Sequence, residues 1–277
     1  VKQTIEQFLE MKKKGEKIAM MTAYDVWSAR LSVAAGVDCL LVGDSLGMVV
    51  LGYDSTLPVT LEDVLRHTAA TRRGAPDSFL IADLPFGTYH VDLPETKRNA
   101  LRILVEGGAN AVKLEGGSES RLRAISALVD CEIPVCAHIG LTPQSVHRFG
   151  GYKVQGKNEE AAERLYHEAI AVEQAGAFMI VLEGIPETLA KRISESIAIP
   201  TIGIGAGRFT DGQVLVFHDA MGLFEKRPKF LKVYVEGGEI FTNALTEYVR
   251  EVKNIEFPTR QHAYCPLVEE DPKPKNE

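Results

Sequence analysis

Cysteine is scarce in this chain. Cys39, Cys131, Cys136 and Cys265 are the only four in 277 residues, and none stands at C-x-x-C or zinc-site spacing. That excludes a disulfide framework and a cysteine-built metal knot. Cys39 and Cys136 lie in apolar runs and read as buried, reduced thiols of a cytosolic protein. Long hydrophobic runs are also missing, because Gly or Asp interrupts each one well short of membrane-spanning length, so no transmembrane helix is expected. There is no basic stripe. The net charge is −7 with the two signs interleaved, which argues against a nucleic-acid partner. The first residues, VKQTIEQFLEMKKKGEK, are charged and amphipathic and lack the apolar stretch of a signal peptide. With no initiator Met, the numbering is expected to begin just inside the natural chain.

What the chain does have is rhythm. Eight short apolar runs recur, at 17–25, 39–45, 79–85, 110–117, 133–141, 178–184, 199–207 and 213–220. They are nearly continuous in hydrophobicity, as parallel strands buried on both faces are. Most of the intervening segments read as helices. DVWSARLSVAAG ends at Gly36, and TLEDVLRHTAATRRG opens on Thr60 with Asp63 three residues on. LPETKRNALRILVEGG, NEEAAERLYHEAIAVEQAGA and PETLAKRISESI follow the same pattern. This alternation predicts an α/β fold, a (β/α)₈ barrel, with a doubly wound open sheet as the alternative. No break in composition divides residues 1–257, which are expected to form one domain. Residues 258–277 are expected to be a partly disordered, solvated tail.

In a barrel the chemistry gathers at the C-terminal ends of the strands. Run two ends in Asp44 and Ser45, and run three in Asp83. Run four carries Lys113 and ends in Glu115, run five ends near His138, and run six ends in Glu183. Several carboxylates at one mouth are costly unless a cation compensates them. A hard, oxygen-ligated ion such as Mg²⁺ suits Asp44, Asp83 and Glu115, and no His pair or Cys cluster favours zinc. The alternative is that these acids cap the helices that follow. Lys113 lies two residues from Glu115 on one face, and is either a cation for an anionic substrate or a salt-bridge partner of the acids. His138 is either a satisfied core histidine or a substrate-binding group. GIGAG at 203–207 is not a dinucleotide fingerprint, since Arg occupies position 208. The long Gly-rich link 142–156 reads as a functional or mobile loop.

Nine segments together resemble the ketopantoate hydroxymethyltransferase family. They are TAYD (22–25), LVGDSLGMVVLGYDSTLPVT (41–60), HTAATRRGAP (67–76), ADLPF (82–86), VKLEGG (112–117), HIGLTPQSV (138–146), FGGYKVQG (149–156), IGIGAG (202–207) and DGQVLVFHD (211–219). The resemblance implies a barrel of the phosphoenolpyruvate/pyruvate type. It implies Mg²⁺ at Asp44, Asp83 and Glu115, oxoacid contacts from Asp44, Ser45, Asp83 and Lys113, and Glu183 as proton acceptor. His138 is counted with the substrate-binding groups. The implied substrates are 3-methyl-2-oxobutanoate and, as a co-substrate, 5,10-methylenetetrahydrofolate. A large homo-oligomer, commonly a decamer, in the cytoplasm is implied as well. Three rivals stay open at this point. They are an Mg²⁺-dependent lyase or mutase of the isocitrate-lyase group, a Schiff-base aldolase using Lys113, and a non-catalytic protein that keeps the fold.

Overall fold

The computed structural model describes residues 3–224 and 227–264. Seven of the eight apolar runs contain a strand and the eighth overlaps one that begins a residue earlier: β1 (Ile18–Thr22), β2 (Cys39–Val42), β3 (Phe79–Asp83), β4 (Ala111–Glu115), β5 (Val135–Gly140), β6 (Met179–Glu183), β7 (Thr201–Ile204) and β8 (Gly212–Leu215). All pair in parallel, in chain order, and β8 returns to β1, so the sheet is closed. The open-sheet alternative is thereby excluded.

Alternation within each strand sorts the side chains. Leu40, Leu80, Val112, Ala137 and Ile180 point outward and pack against the surrounding helices. Cys39, Leu41, Phe79, Ile81, Ala111, Cys136, Met179 and Val181 fill the barrel. The same alternation, continued toward the C-terminal ends, carries Asp83, Lys113, Glu115, His138 and Glu183 inward above that apolar filling. The floor is closed by the helix Ile5–Lys14. Its Phe8 is fully buried and meets Phe79 edge-on at 5.2 Å. Burying such a ring stabilises the fold by roughly 1.5–3 kcal/mol. Lys12 pins that helix to the barrel, donating to Asp211 Oδ2 at 2.8 Å and to the carbonyls of Ser194 and Ile199.

Helix ends follow the sequence signals closely. Thr60 and Asp63 form a reciprocal capping box for Leu61–Gly74, and Gly36 adopts φ +85° just past Val26–Ala34. Helices Leu93–Val105, Glu159–Gln174 and Glu187–Ser196 lie where periodicity puts them, while Glu119–Val129 and Gly237–Lys253 are additional. Run eight is a correction. Its strand ends at Leu215, and Phe217–Ala220 turns into a short helix.

Among the described residues no helix links β7 to β8, and the helix Gly237–Lys253 does not cover the gap. Its Phe241, Leu245 and Tyr248 stay 59%, 63% and 53% exposed. A groove of about 860 Å³ runs along β1 and β8 on that side, past Phe230 and Tyr234. Of the tail expected at 258–277, Arg260–His262 form a 3₁₀ turn. Residues 265–277, including Cys265, lie outside the described residues.

Candidate active site

The inward ends of β2 to β6 open into a cavity of about 520 Å³ at the C-terminal mouth. Asp83, Lys113, Glu115, His138, Glu183 and Ser45 all line it. Asp44 is buried beside Asp83, donating its N–H to Asp83 Oδ2 at 2.9 Å. The structure therefore gathers every residue singled out at the strand ends. None of the acids caps a helix. The N-cap positions of the neighbouring helices are Ser45, Thr60, Asp92, Ser118 and Pro186.

Glycine makes the turn after β2 possible. A Cβ on Gly43 would stand 2.7 Å from Ser45 Oγ, and that hydroxyl is fixed by Tyr24, whose OH lies 2.8 Å away. The loop can thus pass close beneath the mouth while Ser45 faces the cavity.

The charges are interlocked. Lys113 Nζ lies 3.1 Å from Asp83 Oδ1, a salt bridge made by a side chain that also lines the cavity. Burial opposes its charge, but Asp83, Glu115 and Asp44 outweigh that and hold the ammonium firmly protonated. Burial also pushes Asp44 well above the usual carboxylate range, reinforced by Asp83 and Glu115, with Lys113 and Gln144 offsetting only part. Asp83 is raised by burial too, despite Lys113 and the Asp44 N–H. His138 stands between two acids, with Nδ1 3.5 Å from Glu115 Oε1 and Nε2 3.2 Å from Glu183 Oε2. Burial and Lys113 disfavour its charged form, yet the two carboxylates prevail and raise it to about 9. It is buried but lines the cavity, with Nε2 turned toward Glu183.

Two buried oxygens, Asp83 Oδ1 and Glu115 Oε1, make no aligned hydrogen bond and meet only the Lys113 ammonium at 3.1 Å and the His138 ring at 3.5 Å. They are hard donors in an acid-rich pocket, which fits a divalent cation of the Mg²⁺ kind. Among the described residues, no three His, Cys, Asp or Glu side chains already form a closed ligand set. An ion there would take one or two of Asp44, Asp83 and Glu115 and complete its shell with water and substrate oxygens.

Sequence reasoning missed the polar scaffold behind the acids. Gln144 donates its backbone N–H to Glu115 Oε2 at 3.0 Å and its side-chain amide to Asp44 Oδ2 at 2.8 Å. Tyr89 OH in turn donates to Gln144 Oε1 at 2.6 Å. Neither residue type carries charge or periodicity that would announce it. The only signal was Gln144's place inside HIGLTPQSV.

The family model for ketopantoate hydroxymethyltransferase matches residues 2–260. A 3-methyl-2-oxobutanoate hydroxymethyltransferase of Geobacter sulfurreducens is 53% identical over 262 residues, covering 94% of this chain and 98% of that one. Its counterpart in Bacillus cereus is 53% identical over 269 residues, covering 97% and 96%. Among solved structures, a phosphonopyruvate hydrolase in complex with oxalate and Mg²⁺ aligns with TM-score 0.63 at 15% identity, covering 94% of this chain and 93% of that one. A 2,3-dimethylmalate lyase of the PEP mutase/isocitrate lyase superfamily aligns with TM-score 0.58 at 17% identity, covering 95% and 92%. These two likenesses are of fold.

Proposed function

The chain belongs to the ketopantoate hydroxymethyltransferase family, and on that premise we propose that it transfers a hydroxymethyl group from 5,10-methylenetetrahydrofolate to 3-methyl-2-oxobutanoate. The products are tetrahydrofolate and 2-dehydropantoate, on the way to pantothenate. The observation that carries this reading is the convergence of Asp83, Glu115, Lys113 and Glu183 on one mouth, with Asp44 buried beside Asp83.

Asp44, Asp83 and Glu115 are the residues to hold Mg²⁺. When bound, that ion supplies Lewis acidity at the keto oxygen of the oxoacid. Lys113 offers the oxoacid's carboxylate a fixed positive charge, and Ser45 offers a hydroxyl preset by Tyr24. Glu183 takes the proton from C3, with His138 beside it to hold its carboxylate in place. The C3–H bond breaks, and as C3 bonds to the folate's methylene carbon the first of that carbon's two C–N bonds breaks, its nitrogen taking up a proton to match the one lost from C3. Water then displaces the second nitrogen, which leaves with a proton from that water as tetrahydrofolate, and the water's oxygen stays in the hydroxymethyl group. The loop 142–156 is anchored by Gln144 and carries Tyr152 to the cavity rim, which supports a role as a lid.

Two rivals fit less well. A Schiff-base route needs a neutral amine, whereas three carboxylates keep Lys113 charged. A cysteine-dependent lyase needs a thiolate, whereas burial pushes the Cys136 thiol up to about 12 and that of Cys39 well above its usual value.

The proposal includes a large homo-oligomer, a decamer by family resemblance, and a cytoplasmic location. The exposed apolar face of Gly237–Lys253 supports association of copies. No described helix is long and apolar enough to cross a membrane.

The test is formation of 2-dehydropantoate from the oxoacid and methylenetetrahydrofolate, with Mg²⁺ and with EDTA. Product that forms equally well in EDTA would remove the metal from the reading, and no product under either condition would remove the function.

A further inference from the structure

The catalytic cavity has a second wall that the chemistry above leaves unused. In the closed strand order β8 lies opposite β4, the strand of Lys113 and Glu115. Just past β8, on the short helix Phe217–Ala220, Asp219 lines the same cavity. Its Oδ1 is buried and has no hydrogen-bond partner, and among the described residues burial is the only influence on its carboxyl. Arg227 lines the cavity too, but its guanidinium is paired with Glu236. Burial alone pushes the Asp219 carboxyl up to about 6. The acids of the other wall are held by Lys113, His138 or Gln144, so Asp219 differs from all of them.

A half-buried carboxylate on a cavity wall, with one oxygen shut off from water and unpaired, is destabilising unless a ligand brings donors to it. The oxoacid cannot do so, being an anion that Asp219 would repel. The other reactant can. The pterin ring of a reduced folate presents its 2-amino group and N3–H side by side. Two parallel N–H donors match the two oxygens of one carboxylate. Phe224 and Phe230, which line the same cavity, offer apolar surface to the face of a flat ring.

We propose that Asp219 binds the 2-amino and N3–H edge of the folate's pterin, against Phe224 and Phe230. This rests on the reading that methylenetetrahydrofolate is the one-carbon donor. It also accounts for the geometry of transfer. With the oxoacid on the β3–β4 wall and the pterin on the β8 wall, the reacting carbon falls between them. The strand midway around the ring from β4 to β8 is β6, which carries Glu183.

The experiment compares tetrahydrofolate with its 2-desamino-2-methyl analogue, by calorimetry on the full chain with Mg²⁺ present. The parent protein should bind tetrahydrofolate at least about tenfold more tightly than the analogue. Asp219→Asn keeps the volume but turns a donor toward a donor edge. It should lose at least about tenfold in affinity for tetrahydrofolate and no longer distinguish the two ligands. The KM for methylenetetrahydrofolate should rise in parallel, and the KM for the oxoacid should change less than about twofold. Equal binding of the two ligands by the parent overturns the proposal without any variant, which covers the case of an Asp219→Asn protein that fails to fold. A variant that keeps the parent's affinity and discrimination overturns it as well. If the parent turns over both substrates yet ignores the 2-amino group, only this subsite falls. If the parent neither binds tetrahydrofolate nor uses methylenetetrahydrofolate, the folate reading falls with it.

Discussion

Gln144 Nε2 lies 2.8 Å from Asp44 Oδ2, joining residues one hundred positions apart in the chain. Because Tyr89 OH donates to the other end of the same amide, the amide's orientation is set and its N–H₂ must face Asp44. Through its backbone N–H, Gln144 holds Glu115 as well. One buried residue thus restrains two carboxylates of the candidate Mg²⁺ site.

Gln144→Ala should therefore weaken Mg²⁺ binding by about 10–100-fold, the usual consequence of removing a group that orients metal ligands. Calorimetric titration of Mg²⁺ into parent and variant measures this directly. Unchanged affinity would mean that Asp44 and Glu115 are held well enough without the amide.

Lys113→Met removes the buried cation 3.1 Å from Asp83. Uncompensated buried charge typically costs about 3–5 kcal/mol, so Tm should fall sharply in EDTA. Mg²⁺ brings positive charge to the same carboxylates and should raise the variant's Tm by more than it raises the parent's. The KM for the oxoacid should rise in Mg²⁺, since the ammonium meets a carboxylate present from binding onward. Equal Mg²⁺-induced shifts in Tm would show that Lys113 and the metal do not share partners.

The barrel and its acid-lined mouth were legible in sequence for a physical reason. Parallel strands buried on both faces leave near-continuous apolar runs, and a charged residue closing such a run, as Asp83 or Glu115 does, is conspicuous. Thr60 with Asp63 was legible because a capping box is a local pattern. Gln144, Tyr89 and Asp219 were not, because their roles exist only across strands distant in sequence. The helical turn Phe217–Ala220 was hidden for another reason. Its apolar residues continue the run of β8 and differ from strand residues only in backbone geometry.

Asp219 links function to stability. Its folded-state pKa, raised to about 6, exceeds the roughly 3.9 of an unfolded chain, so the folded protein holds this proton more tightly. Stability from the protonated form is fully present below the unfolded pKa and is lost as pH rises through about 6. Asp219→Asn, which cannot ionise, should match the parent's Tm near pH 4 and exceed it near pH 7. Thermal melts at the two pH values decide this. A variant less stable than the parent at pH 7 would mean that the carboxylate has a stabilising partner within the protein, which also counts against a role in binding ligand.

Glu183 carries the most demanding prediction. It ends β6, lines the cavity, and lies 3.2 Å from His138 through Oε2. Glu183→Gln keeps the side chain's shape and one acceptor but cannot take a proton. Mg²⁺ and oxoacid binding should survive, since neither is assigned to this carboxylate. Proton abstraction should slow by about 10²–10⁴-fold, the contribution typical of a positioned base. Exchange of the C3 proton of 3-methyl-2-oxobutanoate in D₂O, with Mg²⁺ and without folate, isolates this step from carbon–carbon bond formation. Exchange at the parent's rate in a variant that makes no product would move Glu183 to a later step and leave the base unassigned. His138 separates the remaining possibilities. If Glu183 acts as the base and His138 holds it, His138→Phe should lower exchange with oxoacid binding largely kept, and His138→Asn, with an N–H still to offer, should recover part of the loss. If Glu183 instead serves only as a counter-charge for His138, removing the histidine should rescue Glu183→Gln. A double variant that exchanges faster than Glu183→Gln alone would therefore exclude the base assignment.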